Sequence, residues 1–307
     1  MPNTVLVMGS FVADVAFRAV RLPAWGETLM GDTFVLGPGG KGSNQAVAAA
    51  RAGAPVKFFS KLGDDAFGRL ARDTWAADAI DATLVTDCST ATGAAAILID
   101  SVHGENAIIV VPGACFTLTP AEVDAAEDSI RSAKVFLTQL ELPLDAVERG
   151  LQIARDAGVL TILNPAPAPA SPLPIALLAL ADFFIPNETE AALLTGLPVD
   201  NLTSAESAAD ALLERGVGTV ILTLGARGSL FRTREHSALI PAFHAGPVLE
   251  TTGAGDAFCG AFAAALAEGR DPEDAARFAS AAAGISVTRP GTAPSMPYRR
   301  EIEALLL

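Results

Sequence analysis

The stretch TTGAGDAF, Thr251 to Phe258, places a glycine-rich turn directly before an apolar, alanine-rich run. Gly253, Ala254 and Gly255 carry at most a methyl group, and Asp256 follows them as the only acid. Backbone N–H groups that are unobstructed at a helix N-terminus form a favourable place for an anion. Asp256 would stand in the first turn, where it could accept a proton from a hydroxyl group. Alternatively, the glycines form a plain turn and Asp256 only complements the helix dipole.

Outward from this stretch, short β-branched or apolar runs alternate with longer helical patterns. Helix starts are indicated by a capping box at Thr119–Glu122, a second box at Thr203–Glu206, and Asp271-Pro272. Such alternation predicts an α/β fold with a central, mostly parallel sheet flanked by helices. The predicted strands are Val5–Val7, Val56–Phe59, Val135–Leu137, Thr161–Leu163, Phe183–Ile185 and Thr219–Thr223.

Two segments interrupt the alternation, at about residues 14–34 and 93–111. They contain strand-like runs with no helix between them. We expect them to form a small antiparallel β lid over the carboxyl ends of the central strands, within a single domain of residues 1–307.

Composition excludes several classes of protein. Half of the 307 residues are apolar and 18% are charged, which supports a large core. The formal net charge of −14 argues against nucleic-acid and anionic-membrane partners, because both favour a basic surface. Three widely spaced cysteines fit a reducing, cytoplasmic location, and the first residues, MPNTVLVMGS, indicate no signal peptide.

A second glycine-rich stretch, LGPGGKGSNQAVAAARAG, runs from Leu36 to Gly53 and opens another alanine-rich helix. Its small residues would allow close approach to the backbone, and Lys41 and Asn44 could donate hydrogen bonds to hydroxyl groups. The order of residues is not that of a Walker A motif, and neither stretch supports a dinucleotide-binding fold.

Two further turns follow predicted strands. In IPNETEA, Ile185–Ala191, Glu190 could hold magnesium through water with Asn187 nearby, although Asn-Glu at a helix start is also ordinary capping. TLGARG, Thr223–Gly228, suits the phosphate side of a nucleotide and would serve equally well as a plain hairpin turn.

Taken together, these motifs resemble the ribokinase-like sugar kinases of the PfkB group. The resemblance runs nearly end to end, and the pairing of GGKGSNQA with GAGD at this separation is specific. The other matching segments are VLVMGSFVAD, KLGDDAFG, QLELP, LNPAPA, PNETEA, LTLGARG and VTRPGTAPSMP.

The resemblance implies roles for particular residues. Asp256 would be the general base, and the amides of Gly253, Ala254 and Gly255 would stabilise charge on the transferred γ-phosphoryl group of ATP. Sugar hydroxyls would be held by Asp14, Gly40, Lys41, Asn44, Glu141 and Asp256. ATP would be held by Asn187, Thr223, Gly225, Gly228 and Ser280. Magnesium would lie near Glu190, and a monovalent cation such as potassium near Glu250, Thr252, Gly291 and Ser295. Relatives also form dimers through the lid, so a homodimer is expected.

Three positions depart from the family pattern. Val12 stands where Asn is usual, which bears on the choice of ribose. Glu250 stands where Asp is usual, which bears on activation by potassium. Cys115 replaces the Asn of a PGAN segment, and the sequence offers no interpretation of that change.

The leading functional hypothesis is therefore an ATP-dependent kinase of a small sugar, converting D-ribose to ribose 5-phosphate. Within the family, the alternatives are a kinase of another ketose, of a deoxy sugar or of a nucleoside. From another class, the chain could be a catalytically silent regulator that binds sugar or nucleotide, although the presence of Asp256 and Lys41 speaks against this. A dehydrogenase is the weakest alternative.

Overall fold

The computed structural model describes residues 3–103, 105–169 and 171–307. Thirteen strands within these ranges form two sheets. The strands are β1 (Val5–Met8), β2 (Val12–Ala19), β3 (Thr33–Gly39), β4 (Val56–Gly63), β5 (Asp81–Cys88), β6 (Thr92–Asp100), β7 (Asn106–Gly113), β8 (Val135–Thr138), β9 (Leu160–Leu163), β10 (Phe183–Phe184), β11 (Thr219–Thr223), β12 (Ser229–Arg232) and β13 (Ser237–Ile240).

Eleven α-helices connect or cover these strands in the described ranges, with short 3₁₀ turns at Ala114–Thr117, Gly225–Arg227 and Ala293–Ser295. The helices are α1 (Lys41–Arg51), α2 (Ala66–Ala77), α3 (Pro120–Ala125), α4 (Glu127–Arg131), α5 (Leu144–Asp156), α6 (Ile175–Leu178), α7 (Glu188–Thr195), α8 (Leu202–Glu214), α9 (Ala254–Ala267), α10 (Pro272–Ser286) and α11 (Arg299–Leu306).

The large sheet has nine strands in the order β13-β12-β11-β10-β9-β8-β1-β4-β5. Its strands are parallel from β11 to β5, and only β12 and β13 pair antiparallel at one edge. This confirms the predicted α/β class.

Helices cover both faces of this sheet, and the central strand β1 shows the consequence. Val5 and Val7 belong to one hydrophobic cluster, with α1, α9 and α10, whereas Leu6 and Met8 belong to the other, with α5 and α8. All four side chains are fully buried. Successive side chains of a strand point to opposite faces, so a strand covered on both faces is apolar throughout.

The lid is the second sheet, in the order β3-β2-β6-β7. The β2–β3 and β6–β7 pairs are antiparallel, as expected, whereas the central pair, β2–β6, is parallel. The parallel pair arises because β2 and β6 both leave the same edge of the main sheet. The lid is also longer than expected, with strands from Val12 to Gly39 and from Thr92 to Gly113. Gly104, within the second predicted segment, lies outside the described residues.

Local signals at helix starts were accurate in two cases and misplaced in one. Thr119 and Glu122 form the predicted capping box, and Asp271 caps α10. Helix α8, however, begins after Asn201, whose side chain accepts from the Ser204 N–H, so the box predicted from Thr203 was wrong. Asparagine is as good an N-cap as threonine, and the earlier start adds helical residues. No helix in the described ranges is long and apolar enough to cross a bilayer.

Candidate active site

The predicted site residues gather at the carboxyl ends of the parallel strands. Glu141 follows β8, Asn187 follows β10 and Thr223 ends β11. The chain after β1 enters the lid, where it carries Asp14. In open α/β sheets this edge is the usual place for a ligand, because successive loops converge there.

The N-terminus of α9 forms one wall of the site. Gly253 precedes the helix with a φ of 83°, a left-handed conformation that favours glycine, and no side chain caps the helix. A Cβ atom at Gly255 would meet nothing within 4 Å, so this position is open toward the cleft. The 14-residue helix thus begins without a side-chain cap, although the Ala254 N–H donates to the Thr251 carbonyl at 3.2 Å, and a helix N-terminus of this kind can receive an anion.

Asp256 is held firmly although it lies in this first turn. Its side chain is 6% exposed. The Nδ2 atom of Asn44 donates to Asp256 Oδ2 at 3.0 Å, and the Nε2 atom of Gln45 donates to Oδ1 at 2.9 Å. Both donors come from α1, so the two glycine-rich stretches meet at this carboxylate. The side-chain oxygen of Asn44, Oδ1, is buried with no partner among the described residues.

Gln45 is a site residue that the sequence analysis did not single out. It is fully buried and contacts two other side chains that also received no role, Gln139 and Asn164. All three lie inside motifs quoted above, GGKGSNQA, QLELP and LNPAPA. The motifs thus contained the signal, and only the fold shows that their amides meet.

The electrostatics of the site are dominated by one lysine and four acids, which are Lys41 and Asp14, Glu141, Glu190 and Asp256. Burial alone would lower the pKa of Lys41, but attraction to Asp256, Glu141 and Glu190 outweighs it and the pKa is raised. Burial raises the pKa of Asp14 to about 6, with further contributions from nearby carboxylates including Glu141 and Asp256. Lys41 is therefore a cation under neutral conditions, and it lies among carboxylates that interact with it and with one another.

Glu141 is fixed from two directions. One of its carboxylate oxygens accepts the backbone N–H of Lys41 at 2.9 Å, and the Ser10 hydroxyl donates to the same oxygen. The carboxylate thus connects the end of β1 with the start of α1.

The glycines before α1 have a packing role that sequence reasoning did not anticipate. A Cβ atom at Gly39 would lie 2.3 Å from an Asp14 carboxylate oxygen, and one at Gly42 would lie 2.5 Å from the Cα of Gly9. Gly40 has a φ of 84°, and a Cβ there would lie 2.7 Å from the Val12 nitrogen. The space that we expected for ligand approach is at these positions filled by the chain itself, which brings the residues that enter α1 against β2 and the start of α1 against the segment after β1.

On the nucleotide side, Asn187 and Glu190 form a reciprocal capping box at the start of α7. Asn187 Oδ1 accepts from Glu190 N–H at 2.8 Å, and Glu190 Oε2 accepts from Asn187 N–H at 2.9 Å. Burial raises the pKa of Glu190, an effect reinforced by Asp256 and opposed by Lys41 and hydrogen bonds from Asn187. The capping reading of IPNETEA is therefore confirmed, and since the capping pair also lines the cleft, magnesium at Glu190 stays a prediction.

The turn after β11 is a hairpin into β12. Gly228 has a φ of 94°, and a Cβ there would lie 2.0 Å from the Ile240 carbonyl oxygen, so glycine is required by packing. Gly225, with a φ of 55°, is open apart from Glu188 at 3.9 Å. Ser280, in α10, is 6% exposed.

The four residues expected around a monovalent cation come from two neighbouring segments. Glu250 Oε2 accepts the backbone N–H of Gly291 at 2.8 Å. Ser295 is buried, and its hydroxyl donates to the Thr292 carbonyl at 2.7 Å. Thr252 is exposed. The Glu250 carboxylate thus already links the segment before α9 to the turn at Gly291.

A cleft of about 130 Å³ lies between the starts of helices α1, α7 and α9. This is smaller than the roughly 300 Å³ or more of a pocket that encloses a whole ligand. Its lining residues include Lys41, Asn187, Glu190, Thr223, Gly253, Gly255 and Asp256. Other predicted site residues do not line it; they include Asp14, Gly40, Asn44, Glu141, Gly225, Gly228, Ser280, Glu250, Thr252, Gly291 and Ser295.

The two buried cysteines near the site have thiols that favour the protonated state. Burial raises the pKa of Cys259 well above its ordinary value and that of Cys115 to about 12. The Cys115 thiol donates to the Pro112 carbonyl at 3.1 Å. Neither group suits nucleophilic chemistry, which requires a thiolate.

Comparison with known proteins places this arrangement in a family. Residues 2–299 match the model of the pfkB family carbohydrate kinases. The chain is 40% identical over 301 residues to a ribokinase of Haemophilus influenzae, covering 98% of this chain and 97% of that protein. It is 36% identical over 294 residues to a deoxyribokinase of Salmonella typhi, covering 95% of each.

Solved structures of ribokinases share the fold of this chain. The structure of Arabidopsis thaliana ribokinase complexed with ribose and ATP superimposes with a TM-score of 0.93 at 34% identity, covering 100% of this chain and 99% of that one. The match to the family model, the relatives and the superposition all extend over nearly the whole chain, and the chain belongs to the pfkB family of carbohydrate kinases.

Proposed function

We propose that this chain is an ATP-dependent kinase that transfers the γ-phosphoryl group to the primary hydroxyl of D-ribose, giving ribose 5-phosphate. The observation that carries the proposal is the position of Asp256, a buried acid with both oxygens hydrogen-bonded, in the first turn of a helix whose uncapped N-terminus is open at Gly255. The ribokinase relative and the structure solved with ribose and ATP support the choice of substrates.

The sugar would bind between the lid and α1. Asp14 and Glu141 supply acceptors for hydroxyl groups, and Lys41 supplies a half-buried cationic donor. The unpartnered Oδ1 of Asn44 can accept one further hydroxyl hydrogen, which would satisfy a buried polar atom. The backbone at Gly40, fixed against β2, would complete this surface.

In the transfer step, Asp256 would accept the proton of the attacking hydroxyl. The amides of Gly253, Ala254 and Gly255 would face the oxygens of the transferred group, where negative charge is greatest. Lys41, near Asp256, would add positive charge on the sugar side. Positioning and electrostatics are the main contributions that a protein makes to phosphoryl transfer.

ATP would lie along the loops after β10 and β11, near Asn187, Thr223, Gly225 and Gly228, with Ser280 toward the base. The buried carboxylate of Glu190 lines the cleft and suits a hydrated magnesium ion, which when bound would neutralise phosphate charge. A monovalent cation such as potassium would bind near Glu250, Thr252, Gly291 and Ser295.

The second candidate substrate is 2-deoxyribose, and Val12 favours it. Val12 and Asp14 are two residues apart on β2, so their side chains point to the same face. Val12 is 5% exposed and cannot hydrogen-bond a sugar hydroxyl. A sugar that lacks the hydroxyl facing Val12 would avoid an unpaired polar group, and the deoxyribokinase relative is in line with such a preference.

Measurement of ADP release with a panel of pentoses, hexoses and nucleosides tests the proposal. We expect turnover with ribose, 2-deoxyribose or both, and a loss of about 10²–10⁴-fold in kcat for Asp256→Asn, which removes a general base. Binding of sugar and ATP without turnover by the wild type would instead support the silent regulator. Turnover of the Asp256→Asn protein at the wild-type rate would exclude Asp256 as the base.

We also propose that the lid pairs two chains into a homodimer. Its edge strands expose consecutive apolar residues, Phe34–Leu36 on β3 and Ile108–Val111 on β7, at 43–67% of their surface. Apolar patches of this kind commonly mark protein interfaces. Light scattering should show a dimer for the wild type and a monomer for Ile109→Lys, with the exposed Leu193→Lys, on α7, as the control. A wild-type monomer at all concentrations would contradict the proposal.

The three cysteines are all free in the structure, which supports a cytoplasmic place of action.

A further inference from the structure

Three buried amide side chains form a continuous relay that ends on Asp256. Gln139 Nε2 donates to Gln45 Oε1 at 2.7 Å. Gln45 Nε2 donates to Asp256 Oδ1 at 2.9 Å and to Asn164 Oδ1 at 3.1 Å. Asn164 Nδ2 donates to the Ile185 carbonyl at 2.7 Å. Gln45 and Gln139 are fully buried and Asn164 is 7% exposed.

Hydrogen-bond chemistry fixes the direction of every amide in this relay. The ionised carboxylate of Asp256 can only accept, so Gln45 must turn its NH₂ group toward it. The Gln45 oxygen then faces Gln139, which must present its own NH₂ group. At the other end, the Ile185 carbonyl can only accept, so Asn164 must turn its oxygen toward Gln45. Two acceptor-only groups therefore determine the orientation of all three amides.

The relay also connects separate parts of the fold. Gln45 lies on α1, Gln139 directly follows β8 and Asn164 directly follows β9, while Asp256 lies on α9. Gln139 packs closely against the chain after β1, since a Cβ atom at Gly9 would lie 2.3 Å from its Oε1. The position of the Asp256 carboxylate is thus set by the central strands and not by α9 alone.

We propose that Gln45 is a positioning residue for the base, and that Gln139 and Asn164 act through it by setting its amide. The inference rests on the proposed role of Asp256. With Asn44 alone donating, the carboxylate would be free to rotate about its remaining hydrogen bond and would meet the attacking hydroxyl less often in the productive orientation. Substrate binding itself would change little when Gln45 or Gln139 is replaced, because both side chains are fully buried and only Asn164 of the three amides lines the cleft.

The Gln45→Met variant tests the proposal, because methionine keeps the length of the side chain and removes the donor. We expect kcat to fall by about 10–100-fold, as for a comparable misplacement of a catalytic group, while KM for sugar and ATP stays within about threefold. The control is Thr138→Val, which removes a buried hydroxyl that has no partner among the described residues and lies next to Gln139. It should leave kcat within about twofold, as removal of an unpaired group predicts.

A double-mutant cycle separates positioning from general damage. In an Asp256→Asn background, Gln45→Met should lower the residual rate by less than about twofold, because groups that act as a unit are not additive. A further loss equal to that of the single variant would overturn the proposal, as would an unchanged kcat or a loss confined to KM. An Asp256→Asn protein that retains the wild-type rate would instead refute the proposed base itself.

If Gln45→Met fails to fold, Gln139→Met gives the same test one hydrogen bond further from Asp256. We expect a smaller fall in kcat, about 3–10-fold, since Asp256 retains both donors and only the orientation of Gln45 is weakened. The same cycle applies, and a wild-type kcat for this variant would refute the relay.

Discussion

Asp14 provides a stability prediction with a definite sign. Its folded-state pKa is raised from 3.8 to about 6, first by burial and then by the carboxylates of Glu141, Asp256 and Glu250. The folded protein therefore binds the Asp14 proton more tightly than the unfolded chain does. Between about pH 4 and pH 6 the carboxyl ionises more readily in the unfolded chain, so this group lowers stability as the pH rises. Above about pH 6 the penalty is complete and constant.

The Asp14→Asn variant removes this charge. A shift of about two pKa units corresponds to about 3 kcal/mol, and screening of a partly exposed group places the expected gain at about 2–3 kcal/mol at pH 7–8. Roughly half of the gain should already be present at pH 5. The same change should weaken sugar binding, because a neutral amide is a poorer acceptor for hydroxyl groups than a carboxylate.

Urea denaturation from pH 5 to pH 8 at constant ionic strength measures the difference in the free energy of unfolding. Asp73→Asn, at an exposed position on α2, is the matched control and should show no comparable rise with pH. A gain for Asp14→Asn that is absent at pH 8, or that shrinks as the pH rises, would refute the electrostatic reasoning.

Three further predictions concern single positions. Val12→Asn should shift the kcat/KM preference from 2-deoxyribose toward ribose by about 5-fold or more, because the new amide can pair a sugar hydroxyl; an unchanged ratio would show that position 12 does not set specificity. Activation of the wild type by potassium should be weak and should increase in Glu250→Asp, whose shorter side chain would release Gly291 N–H; many-fold activation of the wild type at constant ionic strength would contradict this. Gly255→Ala should fold with unchanged stability, since its Cβ meets nothing within 4 Å, yet lower kcat/KM for ATP by about tenfold through its methyl group; unimpaired kinetics would place the phosphates elsewhere.

The sequence predicted the strands whose character is local and missed those defined by pairing. β11 was predicted with its observed bounds, and β1, β8 and β9 within one residue, because short apolar runs bounded by turns are typical of buried strands. β5, Asp81–Cys88, was missed because it is an edge strand with many polar residues. The last residues of β3, up to Gly39, resembled a loop, since their glycines and proline conceal the pairing with β2.

In the site, too, local motifs could be predicted from the sequence, whereas contacts between distant segments could not. The two glycine-rich stretches could be recognised as a pair of functional motifs, but no local pattern shows that Asn44 and Gln45 donate to Asp256, more than 200 residues away. Likewise, Gly39, Gly40 and Gly42 are explained by close contacts with Asp14, Val12 and Gly9. These contacts arise where the chain entering α1 packs against β2 and the segment after β1. Contacts between distant segments follow from strand order, and strand order was not predictable from the motifs.

The junction between β3 and α1 has a consequence for the kinetic order of the reaction. The lid strand β3 ends at Gly39 and helix α1 begins at Lys41, so only Gly40 separates the small sheet from the residues that would hold the sugar. A sugar bound at Lys41 and Asn44 would therefore shift the position of β3 directly. Closure of the lid would then follow occupancy of the sugar site. ATP bound alone would face an open, hydrated cleft that contains no sugar hydroxyl aligned for deprotonation by Asp256. This single-residue junction would thus limit futile hydrolysis of ATP, and it predicts that sugar binds before the productive ternary complex forms.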